Sequence, residues 1–565
     1  MIKKYIFHSV VFVALIGFFS GCGDKNKGLE SALKSIRAED LSRDVSILSS
    51  DEFEGRFSST KGEEKTVNFL KEEFQKLGLK PGNGNSFFQE VPLVKITADP
   101  NAKLKITGKK KSNLFSYGDE FMAGTLRVVE EVSLNNSEMV FVGYGIVAPE
   151  YNWNDYEELN VRGKTVVVLV NDPGFATEDP ALFNGRAMTY YGRWTYKFEE
   201  AARQGAEGVF VIHETKPAAY GWDVVKNSWS GPQFSLVSED NNLSRCAVEG
   251  WLHINTTRKI FENAGLNFNK LKATAARRGF KAVPFGLKAS ITLKNSINKT
   301  KSRNVIALLL GSDRADECII YVAHWDHFGI DPTLEGDQIF NGALDNATGT
   351  AALIELAEAF KQFKSSPSRS VVFLAVTAEE QGLLGSHYYA THPVYPLTKT
   401  VAAINLDSLN IYGKMNDITV IGYGNSELDE YVEATAAEQG RVVRPDPTPE
   451  RGYFYRSDHF PFAKQGLPVL DPNPGIDHVK HGEEWTRAQR DKYIQEKYHK
   501  PSDEYDPNWD LSGAIDDLRL LFKVGYRLSM ESTFPNWREG SEFKAKRDAA
   551  MEAARQKNDT QGSPQ

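Results

Sequence analysis

Cysteine is almost missing: 565 residues hold three, Cys22, Cys246 and Cys318. That excludes the disulfide framework of a small secreted scaffold, and with no C-x-x-C pair it also excludes thiolate zinc and redox motifs. Positive charge is short as well. Sixty-seven basic against 75 acidic side chains leave a formal net charge of -8, the wrong sign for a protein that coats nucleic acid. No apolar run has the comfortable length of a membrane span. No G-x-S-x-G elbow occurs, so a hydrolase built around that serine is excluded. What is present is ordinary globular material, 41% hydrophobic and 25% charged. The length is about three to four times that of a usual domain, so more than one folding unit is expected.

The chain opens with Lys3 and Lys4, an apolar stretch over 5–19, and the small residues Ser20 and Gly21 before Cys22. This is the n-, h- and c-region pattern of a signal peptide, 1–21. The end FSGC resembles the bacterial lipobox, with Phe19 where leucine is usual. It implies an exported lipoprotein, held to a membrane by a lipid on Cys22 and facing the periplasm or cell exterior. Cys246 and Cys318 are then expected to remain free, buried thiols.

Residues 27–80 read as helical, with Val67, Leu70, Phe74 and Leu77 on one face and Gly78 placed to cap. From 85 to 135 the pattern is weakly β. MVFVGYGI, TVVVLV, a helical stretch at 196–205 and GVFVI then form a β-β-α-β unit, which resembles the protease-associated domain. From Asn304 the runs VIALLL, CIIYVAH, VVFLAVTA and VAAINL alternate with helices such as 351–360. Continuous apolar strands are covered on both faces, so the fold class expected is α/β, a mixed, largely parallel sheet between helix layers. The expected divisions are an N-terminal part of the catalytic domain at 22–134, the insertion at 135–270, the catalytic domain at 271–535 and a polar tail at 536–565.

Each of those strands ends on polar residues, the place where an α/β sheet gathers its chemistry. His324, Trp325 and Asp326 follow CIIYVA; Asp345 and Asn346 precede a helix; Glu379 and Glu380 follow VVFLAVTA; Asp407 follows VAAINL; His499 lies downstream. Imidazoles and carboxylates are the set zinc takes in hydrolytic sites. Of two adjacent glutamates, one suits a ligand and the other a general base that stays free to take a proton.

HWDHFG, DNATG, AEEQGLLGS, NLDS and YHKPSDEYD, in this order, resemble the co-catalytic di-zinc aminopeptidase family, which includes glutamate carboxypeptidase, glutaminyl cyclase and the transferrin receptor. The resemblance is weak over 40–130 and strong over 280–530, and the family admits a protease-associated insertion. It implies two zinc ions per chain: His324 and Asp407 on one, Glu380 and His499 on the other, Asp345 bridging both. It further implies a hydroxide between the ions, Glu379 as general base, and a cis peptide after Asp345. Asp326 is expected to accept a hydrogen bond from the His324 imidazole and fix its tautomer. Tyr455 is the choice among Tyr453, Phe454 and Tyr455 for a tyrosine that binds the oxyanion.

His327 reads as a supporting or packing residue, and His478 and His481 as cleft rim. Ser457, Asp458 and His459 are consecutive, so their side chains diverge and cannot form a triad. The activity expected is a zinc-dependent exopeptidase on peptides, most simply an aminopeptidase. A glutamate carboxypeptidase-like enzyme or dipeptidase, a glutaminyl cyclase and a non-catalytic receptor-like module are the alternatives. Glu483 and Arg456 are nearby groups of the types that read a substrate ammonium or carboxylate. Oligomeric state leaves no signal in the sequence.

Overall fold

The computed structural model describes residues 20–109 and 111–561. Residues 1–19 of the expected signal peptide, 1–21, lie outside them, as does the side chain of Cys22. Among the described residues no helix is long and apolar enough to cross a membrane. Cys246 and Cys318 are free and buried.

The larger sheet is mixed, with a parallel centre. Arg314–His324 lies between Arg369–Val376 and Thr400–Asn405, parallel to both, and Val469–Asn473 continues the parallel set. Antiparallel strands close the two sides, Val283–Leu309 against Arg369–Val376 and Asp417–Ile421 against Val469–Asn473. The run CIIYVAH is apolar throughout because both of its faces are covered. Ile319, Tyr321 and Ala323 point into one core, with Leu70, Phe74, Leu353 and Leu521. Cys318, Ile320 and Val322 point into the other, with Tyr389, Phe460 and Phe462. Period two on a doubly covered strand is what produces an unbroken apolar run.

A second sheet forms the inserted unit. Glu131–Phe141, Thr165–Leu169, Gly208–Ile212 and Val248–Leu252 are parallel neighbours, edged by Phe121–Gly124. The two sheets share one strand. Val283–Leu309 pairs with Glu131–Phe141 through its first half, then with Phe88–Ala98 and Arg369–Val376. The divisions expected at 135 and 270 therefore need correction. The inserted core takes in Leu104, Ile106 and Phe115 before the first, and Leu287, Ile291 and Leu293 after the second. The weak alternation over 85–135 carries no mark of which sheet each strand joins.

The expected polar tail is also corrected. Trp537 is 2% exposed and donates to the Gly466 carbonyl at 2.8 Å. Phe543 packs in the same core, and Arg547 donates to the carbonyls of Leu397 and Thr400. Two aromatic anchors in a polar background were too sparse to register as a periodic pattern.

Candidate metal centre

Three strand ends and two loops bring the site together. His324 ends the central strand, and its Nε2 lies 3.3 Å from Asp345 Oδ1 and 3.7 Å from Asp407 Oδ1. On the other side of Asp345, His499 Nε2 lies 3.2 Å from Oδ2 and 3.3 Å from Glu380 Oε2. Asp345 thus stands between two imidazoles, each with a further carboxylate. The peptide between Asp345 and Asn346 is cis. Asn346 ties this loop to the neighbouring strand: its amide donates to Leu406 O, and its oxygen accepts from Gly349 N and Ser408 N. Gly349 has no room for a side chain, since a Cβ there would stand 2.2 Å from Leu406 O.

Four carboxylates, Asp345, Glu379, Glu380 and Asp407, share this space with two imidazoles. Burial pushes Glu379 and Glu380 well above the usual carboxylate range, and the neighbouring carboxylates add to it. Asp345 is buried too, yet hydrogen bonds with His324 and His499 hold it well below that range. His324 is pulled down by burial and raised further by Glu379, Asp345 and Asp407, so it ends well above its ordinary value. Ligand atoms of His324, Asp345 and Asp407 lie within 4.8 Å of one another, and so do those of His324, Glu379 and Glu380. Excess buried negative charge with imidazole nitrogens aimed inward is a donor set that fits zinc.

The supporting residues differ in part from expectation. His324 Nδ1 meets the main-chain carbonyl of Asp326 at 3.2 Å, and the Asp326 carboxylate is not its partner. That carboxylate instead accepts from Glu379 N at 3.0 Å and Glu380 N at 3.4 Å, so it holds the two-glutamate turn. The backbone turns back at Asp326 and supplies the oxygen that the side chain was expected to give. Tyr455 is corrected as well: its hydroxyl donates to Glu542 at 3.1 Å, and its ring packs on Tyr190 and Phe460. Tyr498 is the tyrosine at the site. Its ring stacks on His499 at 3.7 Å, and burial of the phenol against Asp345, Glu380, Glu379 and Asp407 pushes it well above its ordinary range, although 42% of the residue is open to solvent.

His327 donates from Nδ1 to Glu380 Oε1 at 2.6 Å; burial holds it down to about 3, hence neutral. Its nitrogen also groups with Asp345 and Glu380 within 4.8 Å. Ser457, Asp458 and His459 diverge as expected, towards Asp407, Ser386 and Asp471. The His478 and His481 rings pack at a tilt against Trp485, with centres 4.9 and 4.7 Å away.

Sequence reading passed over two further supports. Arg56 is fully buried, and its guanidinium donates to the carbonyls of Trp325, Leu48, Asn341 and Gly342, clamping both metal-side loops. Asp503 accepts from Leu344 N, Asp345 N and the Tyr493 hydroxyl. Neither follows an apolar strand, and neither is an imidazole or carboxylate of the ligand set.

The sheet order and this centre define a class, α/β proteins with a buried cluster of carboxylates and imidazoles able to hold metal. Residues 304–522 match the model of peptidase family M28. The chain is 29% identical over 202 residues to the glutamate carboxypeptidase 2 homolog of Caenorhabditis elegans, covering 34% of this chain and 24% of that one. It is 29% identical over 209 residues to aminopeptidase YwaD of Bacillus subtilis, 36% of this chain and 42% of the relative. The chain spans a quarter or less of the length of the first curated relatives it matches. In fold it is similar to the aminopeptidase from Aneurinibacillus sp. strain AM-1, with a TM-score of 0.50 and 19% identity over 90% of this chain and 97% of that one.

Proposed function

We propose that the protein is a zinc-dependent exopeptidase, acting as an aminopeptidase on peptides and holding two zinc ions per chain. The observation that carries this reading is Asp345 placed between His324 and His499, each of which faces a second carboxylate. His324, Asp345 and Asp407 would hold one ion, and Glu380, His499 and Asp345 the other. Zinc bound there supplies Lewis-acid polarisation of the scissile carbonyl and an acidified water. Glu379 takes the proton from the attacking water and passes it to the leaving amine, its turn fixed by Asp326. The Tyr498 hydroxyl, whose ring lies on His499, would hydrogen-bond the carbonyl oxygen as charge develops.

The inserted unit is read as a protease-associated domain, and the N-terminus as an export signal with lipid attachment at Cys22. Replacing Cys22→Ser should then release the protein from the membrane fraction; retention there would overturn the anchor. For the activity, aminoacyl-anilide hydrolysis should vanish on chelation and return with zinc alone. Hydrolysis that survives complete removal of metal would refute the reading.

A further inference from the structure

A line of buried polar side chains runs from Asp407 away from the centre and into the sheet. Ser457 Oγ donates to Asp407 Oδ2 at 2.7 Å, and Asn405 Nδ2 donates both to Ser457 Oγ at 2.8 Å and to Asp471 Oδ1 at 3.0 Å. His459 closes the far side of Asp471, with Nδ1 3.5 Å from Oδ2. Asn405 and His459 are fully buried, and Asp471 is 4% exposed. The sheet sets the spacing. Ala403 and Ile404 pair with Val469 and Leu470 on the neighbouring parallel strand, so Asn405 and Asp471, one step further along, come side by side.

The direction of each bond follows from what is left unpaired. Asn405 Oδ1 is buried without a hydrogen-bond partner, a cost that the two bonds donated by Nδ2 must offset. Turned over, the amide would set its oxygen against the Asp471 carboxylate, which has no hydrogen to give when ionised. It would also draw the Ser457 hydrogen to itself. As the structure stands, Asp471 fixes the amide, the amide nitrogen occupies a lone pair of Ser457, and the Ser457 hydrogen goes to Asp407 Oδ2. Asp407 Oδ1 is then the oxygen that faces His324 Nε2 at 3.7 Å, steadied by Ser408 Oγ at 3.2 Å.

We infer that Asn405 and Asp471 are positioning residues for Asp407, acting through Ser457, and that they set the affinity for the zinc ion held by His324 and Asp407. A ligand carboxylate whose second oxygen is tied in advance loses less freedom when the ion binds, and removing such a support weakens metal binding about 10- to 100-fold. This rests on reading the centre as a zinc site.

The test measures zinc affinity by chelator competition, and the absorption spectrum of the cobalt-loaded protein, in Asn405→Leu, Ser457→Ala and the double variant Asn405→Leu/Asp471→Leu. The double variant leaves no buried carboxylate without its donor, so it serves if Asn405→Leu alone does not fold. The wild type is expected to bind two zinc ions, and each variant to lose about 10- to 100-fold in affinity for one of them, with a shifted cobalt band. Adding Asn405→Leu to Ser457→Ala should cost nothing more; a further loss as large as the first would overturn the route through Ser457. A merely structural role would lower the melting temperature of the metal-free protein and leave affinity and spectrum unchanged. Folded variants that behave so would overturn the inference while leaving the zinc reading intact. A wild type that binds no zinc would refute that reading, and the inference with it.

Discussion

Asp326 shows how far single residues could be read. Its place near the centre was plain from its position two residues after His324, but which of its atoms faces the imidazole depends on a backbone turn. The main-chain oxygen meets His324, and the carboxylate holds Glu379 N and Glu380 N. Asp326→Ala should therefore lower activity about 10- to 100-fold through the glutamate turn, while His324 keeps its carbonyl partner. Activity assays with zinc titration check this; an unchanged rate would show that the turn is held without it. The metal-type residues stood out because each ends an apolar strand. Tyr455 and Tyr498 could not be separated that way, since both precede a site segment and only the fold shows which ring lies on His499. Arg56 was hidden because its partners are carbonyl oxygens, which every residue has.

At the level of elements, the helix Thr348–Lys361 carries a buried glutamate with no role in the chemistry. Glu355 accepts from Arg37 N at 3.2 Å, its other oxygen has no partner, and burial pushes it up to about 8. A carboxyl raised in the folded state favours folding most below its unfolded value of about 4.5, and that contribution is lost as pH rises through about 8. Glu355→Gln should raise the unfolding temperature at pH 8 relative to wild type, with much less change at pH 5; thermal melts at the two pH values test it. The C-terminal segment gives the opposite case, an element that composition alone hides. Trp537→Ala should cost about 3–5 kcal/mol of stability, measured by denaturant unfolding, because the indole fills the core beside Phe543. A loss below about 1 kcal/mol would mean that the segment is loosely held.

Over the whole molecule, the alternation of apolar strands and helices from Asn304 was enough to expect a mixed, largely parallel sheet between helix layers. The limits of the inserted unit were not readable, because Val283–Leu309 serves both sheets and no composition change marks where it passes from one to the other. The same continuity, with the Lys464–Glu199 pair, fixes the two units against each other. The central claim is that the clustered carboxylates hold zinc while Glu379 moves the proton. Its most direct test is Glu379→Gln, with zinc content and aminoacyl-anilide hydrolysis measured on one preparation. The account predicts the same zinc content as the wild type, two ions per chain, and a rate lower by about 10²-fold or more. Wild-type turnover with that zinc bound would contradict it.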